Sequence, residues 1–158
     1  MVYRQELADT LPVWDFQLAE TGSRIIRRRR QFVEELSGIA KKIHAQLSGE
    51  REELLVTYEP SVREEQFEEE LHRVKERDSR QCMTSVGPHR DDLLISIDGI
   101  DIRKFGSQGQ QRTSALSLKL SEIELVKKAI HETPVLLLDD VLSELDSNRQ
   151  NFLLSSIH

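Results

Sequence analysis

A long stretch without proline occupies much of the first third of the chain. Between Trp14 and Leu47 helix-forming residues predominate, which predicts one long helix. Gly22 and Arg29 interrupt its apolar seam, so a two-stranded coiled coil and packing within a helical subdomain both stay open. The seam residues that recur every seven positions are Leu18, Ile25, Phe32 and Ile39. Two further seam residues, Leu36 and Ile43, lie four positions after Phe32 and Ile39.

The composition favours an elongated, helix-rich molecule. Of the 158 residues, 37% are hydrophobic and 32% are charged, with a net charge of −6, which is a thin apolar supply for one compact core. The single Cys82 cannot form an internal disulfide, so we expect a reducing compartment and a buried thiol. No apolar run of about eighteen residues and no signal-peptide pattern is present. These features predict a soluble, cytoplasmic protein.

A strand and a second helix are predicted after Ser48. The β-rich stretch from Leu54 to Tyr58 predicts a short strand. Ser61, with Glu64 three residues later, is the expected cap of a helix. The buried stripe of that helix is expected at Phe67, Leu71 and Val74.

Strict alternation of apolar and polar residues from Leu93 to Ile102 predicts a β-hairpin. Asp98-Gly99 is the expected two-residue turn, because both residues tolerate positive φ. This register pairs Ile97 with Ile100, and Ile95 with Ile102.

Two further segments carry candidate chemistry. The string from Phe105 to Arg112 contains a loop with two glycines that runs into a largely buried helix from Gln110 to His131. Such a loop can receive a phosphate or can be an ordinary capped turn. Val135 to Leu138 is an apolar run typical of a central parallel strand. It is followed by Asp139 and Asp140, where a carboxylate can hold Mg²⁺ or cap the next helix.

In this order the segments resemble the second half of an ABC-type ATPase head. The loop Ser107 to Gln111 corresponds to the signature loop, Val135 to Asp140 to the Walker B strand, and Leu142 to Asp146 to the D-loop. Together with Gly-Pro-His-Arg-Asp-Asp at Gly87 to Asp92, they are similar to the RecF family of bacterial recombination mediators, which is related to SMC heads.

The resemblance implies a role for each of these residues. Asp139 would hold the Mg²⁺ that accompanies ATP, Asp140 would be the catalytic carboxylate, and Asp146 would act in the D-loop at a dimer interface. The signature loop would contact the γ-phosphate of ATP bound to the opposite subunit through Ser107, Gln108, Gly109 and Gln110. ATP would thereby join two heads.

The chain departs from a complete ATPase head in one respect. No lysine follows a glycine, so the sequence contains no Walker A motif. We therefore expect a C-terminal part of a RecF-like protein that neither binds ATP tightly nor hydrolyses it alone. The expected fold class is α/β, or α+β within this chain. A helical lobe is expected over 1–85, with a minor strand near 54–58, and a partial ATPase head over 86–158.

The string from Gly87 to Asp92 is compatible with several roles. His89, Asp91 and Asp92 are potential metal ligands, although consecutive residues seldom converge on one ion. The plainer interpretation is a turn that feeds the hairpin, with Arg90 paired to an acid. The resemblance marks the string as a family motif whose role, structural or DNA-facing, is open.

Four consecutive arginines, Arg27 to Arg30, lie within the predicted long helix. Arg24, Arg27 and Arg28 share a side and are candidates for sequence-independent contacts with DNA phosphates. A solvated face balanced by Glu34 and Glu35 is the alternative.

The resemblance implies an ATP-dependent DNA-binding protein that forms a homodimer. It would act at duplex DNA near single-strand gaps in recombinational repair, replication restart and the SOS response. RecR would be its partner, RecO and RecA would act in the same pathway, and the protein would be associated with the nucleoid. The alternatives are a metal-dependent phosphohydrolase using Asp91, Asp92, Asp139 and Asp140, and a structural dimerisation module.

Overall fold

A computed structural model describes residues 2–137 and 147–156 of the chain. These residues form five α-helices and three short strands, together with 3₁₀ turns at Glu64–Gln66 and Pro88–Arg90. The helices are α1 (Val2–Ser48), α2 (Phe67–Gln81), α3 (Ile102–Phe105), α4 (Gln108–Ile130) and α5 (Ser147–Ser156), and the strands are β1 (Leu54–Glu59), β2 (Asp92–Ile97) and β3 (Ile100–Asp101). The predicted mixture of long helices with a small amount of β-structure is confirmed.

Helix α1 is longer than predicted. It begins at Val2 rather than near Trp14 and contains Pro12. Proline removes one backbone hydrogen bond and usually marks a helix boundary, which is why the sequence places the start after it. None of the helices among residues 2–137 and 147–156 is long and apolar enough to cross a membrane.

The predicted seam of α1 is confirmed at Leu36, which is buried, but most of the buried face lies one residue further along the chain. Ile25 and Phe32, which belong to the predicted seam, are 40% and 42% exposed. The buried positions again recur every seven residues, at Ala19, Ile26, Val33, Ala40 and Leu47. Alanine carries little weight in a hydropathy pattern, yet its small side chain allows another element to approach the helix closely.

The chain divides into two compact units, one formed by residues 1–33 and 58–93 and the other by residues 34–57 and 94–158. The boundaries therefore fall inside α1, β1 and β2. Composition alone places one boundary after Ser85. That division into a helical lobe and a head stays a prediction.

The core of the first unit is built around Phe67, which is fully buried. The predicted stripe of α2 is confirmed, because Phe67, Leu71 and Val74 are its buried residues. The predicted cap is wrong. Helix α2 begins six residues after Ser61, whose hydroxyl instead donates to the carbonyl of Gly87 over 3.0 Å.

The sheet has the order β1-β2-β3, and its hairpin turns where predicted. Asp98 and Gly99 have φ values of 51° and 80°, as a type I′ turn requires, and Ile97 pairs with Ile100. The next pair is Ser96 with Asp101, and Ile102 already belongs to α3. The predicted pairing of Ile95 with Ile102 is wrong because the Asp101 carboxylate accepts the N–H of Arg103 over 2.9 Å and caps α3.

Helix α4 begins at Gln108 and is less apolar on its buried face than predicted. Its buried residues include Leu116 and Leu120, which pack with Leu47 and Leu153. The other buried side chains all carry hydroxyl groups: Thr113, Ser114, Ser117 and Ser121. Thr113 and Ser117 each donate to the carbonyl one turn earlier over 2.8 Å, and Ser121 does so over 2.6 Å. The Ser114 hydroxyl is buried without a hydrogen-bond partner among the described residues. Near the end of the helix, Ile130 is 53% exposed.

Two more predictions are corrected. Residues 135–137 form neither helix nor strand, and Val135 and Leu137 are each 89% exposed. A central strand requires hydrogen-bonded neighbours, and within the described ranges no strand pairs with this segment. Cys82 is exposed rather than buried. It ends α2 in the left-handed conformation, with φ 51°.

Candidate functional site

The loop that precedes α4 is held by reciprocal hydrogen bonds. The hydroxyl oxygen of Ser107 accepts the N–H of Gln110 over 3.2 Å, and the side-chain oxygen of Gln110 accepts the N–H of Ser107 over 3.0 Å. This capping box explains why the helix begins at Gln108. The predicted signature loop therefore forms a capped helix N-terminus.

The capping box leaves hydrogen-bond donors at the exposed tip of the loop. Ser107, Gln108 and Gly109 are all exposed. The first N–H groups of a helix have no partner within the helix, and the positive end of the helix dipole lies beside them. Because the Ser107 hydroxyl oxygen accepts from Gln110, its hydrogen remains available to an external acceptor. The tip is thus suited to an anion such as a phosphate group.

Gly109 is not required by the packing of the described residues. A Cβ built on Gly109 would lie 4.0 Å from the Ser107 hydroxyl oxygen, its nearest neighbour. Its φ is also not in the left-handed region, so any L-amino acid fits the backbone here. A glycine here therefore permits close approach from outside.

Gln110 points inwards, and both ends of its side chain are engaged. Its oxygen caps Ser107, and its Nε2 donates to Oε1 of Glu52 over 3.0 Å. Of the four residues predicted to contact nucleotide, the structure thus brings three to the surface and uses the fourth to hold the loop.

Glu52 is in turn bound to His44, a fully buried residue of α1. Nε2 of His44 lies 3.1 Å from Oε2 of Glu52, and Nδ1 lies 3.1 Å from the Ser117 hydroxyl. Burial lowers the pKa of His44, although the hydrogen bond and charge of Glu52 act in the opposite direction. With the hydrogen of the neutral ring on Nε2, that nitrogen donates to Glu52. The Ser117 hydroxyl has one hydrogen, which it donates to the Thr113 carbonyl over 2.8 Å or to Nδ1 of His44.

Ser117, His44 and Glu52 have the residue types and order of a hydrolytic triad. However, His44 and Ser117 have no exposed surface, so a substrate cannot reach the hydroxyl group. The arrangement therefore serves structure rather than nucleophilic catalysis.

The predicted Mg²⁺ ligand Asp139, the catalytic candidate Asp140 and the D-loop residue Asp146 lie outside the described residues. Helix α5 follows them and is connected to the end of α1, because Nε of Arg149 donates to the carbonyl of Leu47 over 3.3 Å.

In the other unit, the string from Gly87 to Asp92 is organised around Asp91. The Asp91 side chain is 2% exposed and lies 3.5 Å from the Arg29 guanidinium. It accepts the N–H of Ser61 over 2.9 Å and also the hydroxyl of Tyr58. Burial raises the pKa of Tyr58 to about 12, and the hydrogen bond to Asp91 and the charge of that residue act in the same direction.

The neighbours of Asp91 point elsewhere. Nε2 of His89 lies 2.9 Å from the carbonyl of Thr84, which also accepts from Arg90 over 3.3 Å. The pairing of Arg90 with an acid is wrong within the described residues, since Arg29 is the arginine beside Asp91. Asp92 is exposed. The described part of the chain contains no group of three or more potential metal ligands, so the metal interpretation of this string finds no support there.

The arginines of α1 differ in their partners. Arg27 and Arg30 lie 3.2 and 3.6 Å from the carboxylate of Glu64, and Arg29 donates to the carbonyl of Pro88. These pairs differ from the predicted ones, which involved Glu34 and Glu35. Arg24 and Arg28 are exposed, and the ion pairs found among residues 2–137 and 147–156 include neither of them. Of the three predicted DNA contacts, these two have the least constrained side chains.

Sequence inspection missed His44 and Glu52, which are isolated residues in no recognisable motif. Their partners Ser117 and Gln110 are 73 and 58 positions away along the chain. The available signal was a histidine directly after Ile43 of the predicted seam.

The chain is similar to proteins of known role over nearly its whole length. It is 63% identical over 157 residues to the DNA replication and repair protein RecF of Agathobacter rectalis, which covers 99% of this chain and 43% of that protein. It is also 56% identical over 153 residues to RecF of Lachnospira eligens, and this match covers 97% of this chain and 42% of that protein. The chain thus spans less than half the length of these curated relatives. No family model matches it.

Two solved structures have the same fold over 95% of the chain. One is the recombination mediator protein RecF with ATP, of the RecFOR pathway, with a TM-score of 0.85 and 40% identity over 42% of that chain. The other is RecF with ATPrS, with a TM-score of 0.82 and 41% identity over 43% of that chain. The resemblance to part of RecF predicted from the motifs is confirmed.

Proposed function

We propose that this chain is the C-terminal part of a RecF-like protein of DNA replication and repair, and that its Ser107 loop contacts ATP bound to a second subunit. The observation that carries the proposal is the geometry of the loop. A capping box holds the loop while the first N–H groups of the helix have no partner within it. Beside them is a glycine at which a Cβ would meet only the Ser107 hydroxyl oxygen, at 4.0 Å.

An anion with several oxygens suits this site, because the loop tip combines N–H donors, a hydroxyl group and the helix dipole. A similar protein solved with ATP supports a nucleotide phosphate as that anion, and the resemblance to signature loops implies the γ-phosphate. The chain has no Walker A motif, so ATP would be held by another part of the full-length protein. Contact by the loop across two subunits would let ATP join them into a dimer.

The remaining motif residues take roles by resemblance in this proposal. Asp139 would hold Mg²⁺, Asp140 would orient the attacking water, and Asp146 would link the two sites at the dimer interface. The parent protein would bind duplex DNA near single-strand gaps and act with RecR, RecO and RecA in the cytoplasm, at the nucleoid.

The rival phosphohydrolase would require free carboxylates at Asp91 and Asp92. Asp91 is instead buried and bonded to Ser61 and Tyr58, which leaves it poorly suited to hold a catalytic ion. A structural dimerisation module would not require the open glycine of the loop.

The test is ATP-dependent dimerisation of the full-length protein, measured by light scattering with and without Mg-ATP. We expect the wild type to dimerise with ATP. Ser107→Arg should abolish dimerisation because the long cationic side chain fills the loop tip. Gly109→Ala should also weaken it strongly, because the methyl group stands between the loop and the phosphate.

Gly109→Ala also supplies a control for folding. Alanine is favoured over glycine within a helix by up to about 1 kcal/mol. Apart from the adjacent residues and the backbone of its own helix, the nearest described atom to the new methyl group is the Ser107 hydroxyl oxygen, at 4.0 Å. Stability should therefore be unchanged or slightly higher. Dimerisation by both variants at wild-type ATP concentrations would contradict the proposal, as would dimerisation of the wild type without nucleotide.

A further inference from the structure

We propose that His44 and Glu52 are positioning residues for the Ser107 loop, and that they set the direction in which the loop presents its N–H groups. This inference rests on the function proposed above for the loop. It assigns a role to two residues that lie outside all the recognised motifs.

Gln110 connects the loop to Glu52. The planar amide of Gln110 is held at both ends, since its oxygen accepts from the N–H of Ser107 and its Nε2 donates to Glu52, each over 3.0 Å. Hydrogen bonds at both ends restrict the side-chain torsions of Gln110. Without Glu52 the amide is held at its oxygen end alone, and the first turn of α4 gains freedom to move.

His44 holds Glu52 and closes the network. The imidazole lies 3.1 Å from the free oxygen of the Glu52 carboxylate and 3.1 Å from the Ser117 hydroxyl. Ser117 lies ten residues after Ser107, which corresponds to about 15 Å along the axis of α4. Helix α4 is therefore connected to His44 of α1 at two separate points, once through Ser117 and once through Glu52 and Gln110.

The charged groups around His44 are few. Glu52 and Asp98 contribute negative charge and Arg149 contributes positive charge. The carboxylate of Glu52 is bonded to His44 and Gln110 and is 24% exposed. By contrast the adjacent Glu53 is 62% exposed and pairs with Lys41 on the surface. These neighbours form a matched pair, since both substitutions to alanine remove the same charge.

Loss of Glu52 should affect contact with the second subunit more than folding or ATP binding by one subunit. The Ser107 hydroxyl can still cap α4 when Glu52 is absent, because that bond is internal to the loop. ATP held by its own subunit does not require this loop. A contact across a dimer interface depends on the loop direction, since small displacements separate the donors from the phosphate.

The experiment compares the full-length wild type with Glu52→Ala, Glu52→Gln, His44→Gln and Glu53→Ala. One measurement is the Mg-ATP concentration that gives half-maximal dimerisation at fixed protein concentration. The other is the affinity of the monomer for a fluorescent ATP analogue, at protein concentrations too low for dimerisation. Ser107→Arg is included as a test of the underlying function.

We expect Glu52→Ala to raise the half-maximal ATP concentration about tenfold, equivalent to about 1.4 kcal/mol, with no change in monomer affinity. Glu52→Gln keeps an oxygen that accepts from Gln110, and its NH2 can donate to Nε2 of His44 when the imidazole hydrogen is on Nδ1. This variant should therefore dimerise at an ATP concentration close to that of the wild type. His44→Gln should fall between these two variants, and Glu53→Ala should match the wild type.

If Ser107→Arg abolishes dimerisation as expected, either of two results would overturn the positioning role. One is a shift of less than twofold for Glu52→Ala. The other is an equal loss of monomer affinity and dimerisation, which indicates general structural damage. If Ser107→Arg itself dimerises normally, the proposed function of the loop fails, and the positioning role fails with it.

Discussion

At the scale of single residues, Asp91 has a structural role that the other residues of the segment from Gly87 to Asp92 do not share. Its carboxylate contacts two parts of the chain that are distant in sequence, Arg29 of α1 and the segment that contains Tyr58 and Ser61. A buried carboxylate is costly unless it is paired and hydrogen-bonded. These partners offset that cost, and they explain why Asp91 is buried while the next residue faces solvent.

We therefore predict that Asp91→Ala destabilises the full-length protein by about 3 kcal/mol, because a hydrogen-bonded buried carboxylate is lost and its partners are left without it. Chemical denaturation followed by circular dichroism measures the loss. Native-state hydrogen exchange of the Ser61 amide, which donates to Asp91, localises it.

Asp92→Ala is the control for Asp91→Ala. Asp92 is exposed, and surface substitutions usually change stability by less than about 1 kcal/mol. Equal losses for the two variants would contradict the assigned role of Asp91.

At the scale of elements, the packing of α2 on α1 depends on glycine. A Cβ on Gly22 would overlap Cε1 of Phe67 and lie 3.2 Å from its Cδ1, and a Cβ on Gly87 would lie 2.8 Å from its Cζ. The interruption of the apolar seam at Gly22 is therefore the place where an aromatic ring sits against the helix. Arg29, the second interruption, lies beside Asp91.

We predict that Gly22→Ala destabilises the protein by about 2 kcal/mol, since overpacking a filled core typically costs 1–3 kcal/mol. Gly38→Ala on the same helix should instead stabilise it by about 0.5–1 kcal/mol through helix propensity, because a Cβ there meets nothing within 4 Å. Thermal unfolding of the full-length variants compares the two. Effects of the same sign would show that Phe67 does not pack as described.

At the scale of the whole protein, the arginine run has fewer side chains available for the proposed DNA contact than its length suggests. Three of its members contact Glu64 or Asp91. Arg28 and the nearby Arg24 remain exposed. We expect these two to contribute most of any contact between this helix and DNA phosphates.

We predict that replacing Arg24 and Arg28 together by Ala in the full-length protein weakens binding to all duplex DNA sequences equally. It should also reduce the slope of log affinity against log salt concentration by about 2, since each phosphate contact contributes about 0.9. Fluorescence anisotropy with duplex DNA over a range of salt measures both quantities.

The control for these variants removes Arg73 and Arg80, two exposed arginines paired with Glu70 and Glu76. It changes the net charge equally, so a similar loss of affinity would indicate a general charge effect. An unchanged affinity and salt slope for Arg24→Ala with Arg28→Ala would remove the DNA-binding hypothesis for this helix.

Features that depend on residues close together along the chain were predicted from the sequence alone. The turn at Asp98-Gly99, the stripe of α2 and the start of a helix beside Ser107 each involve residues a few positions apart. Their causes are backbone preference, helical periodicity and capping, which act over single turns. The likeness to part of RecF also followed from short strings of this kind.

The tertiary structure decided which face of α1 is buried, where Phe67 packs, and what Asp91 and Gln110 contact. Ala19 and Gly22 carry little hydropathic signal, yet their small size allows another element to approach. The partners of Gln110 and His44 are 58 and 73 positions away along the chain. No local preference encodes such a pair, because it forms only when the packing of helices and strands brings the two side chains together.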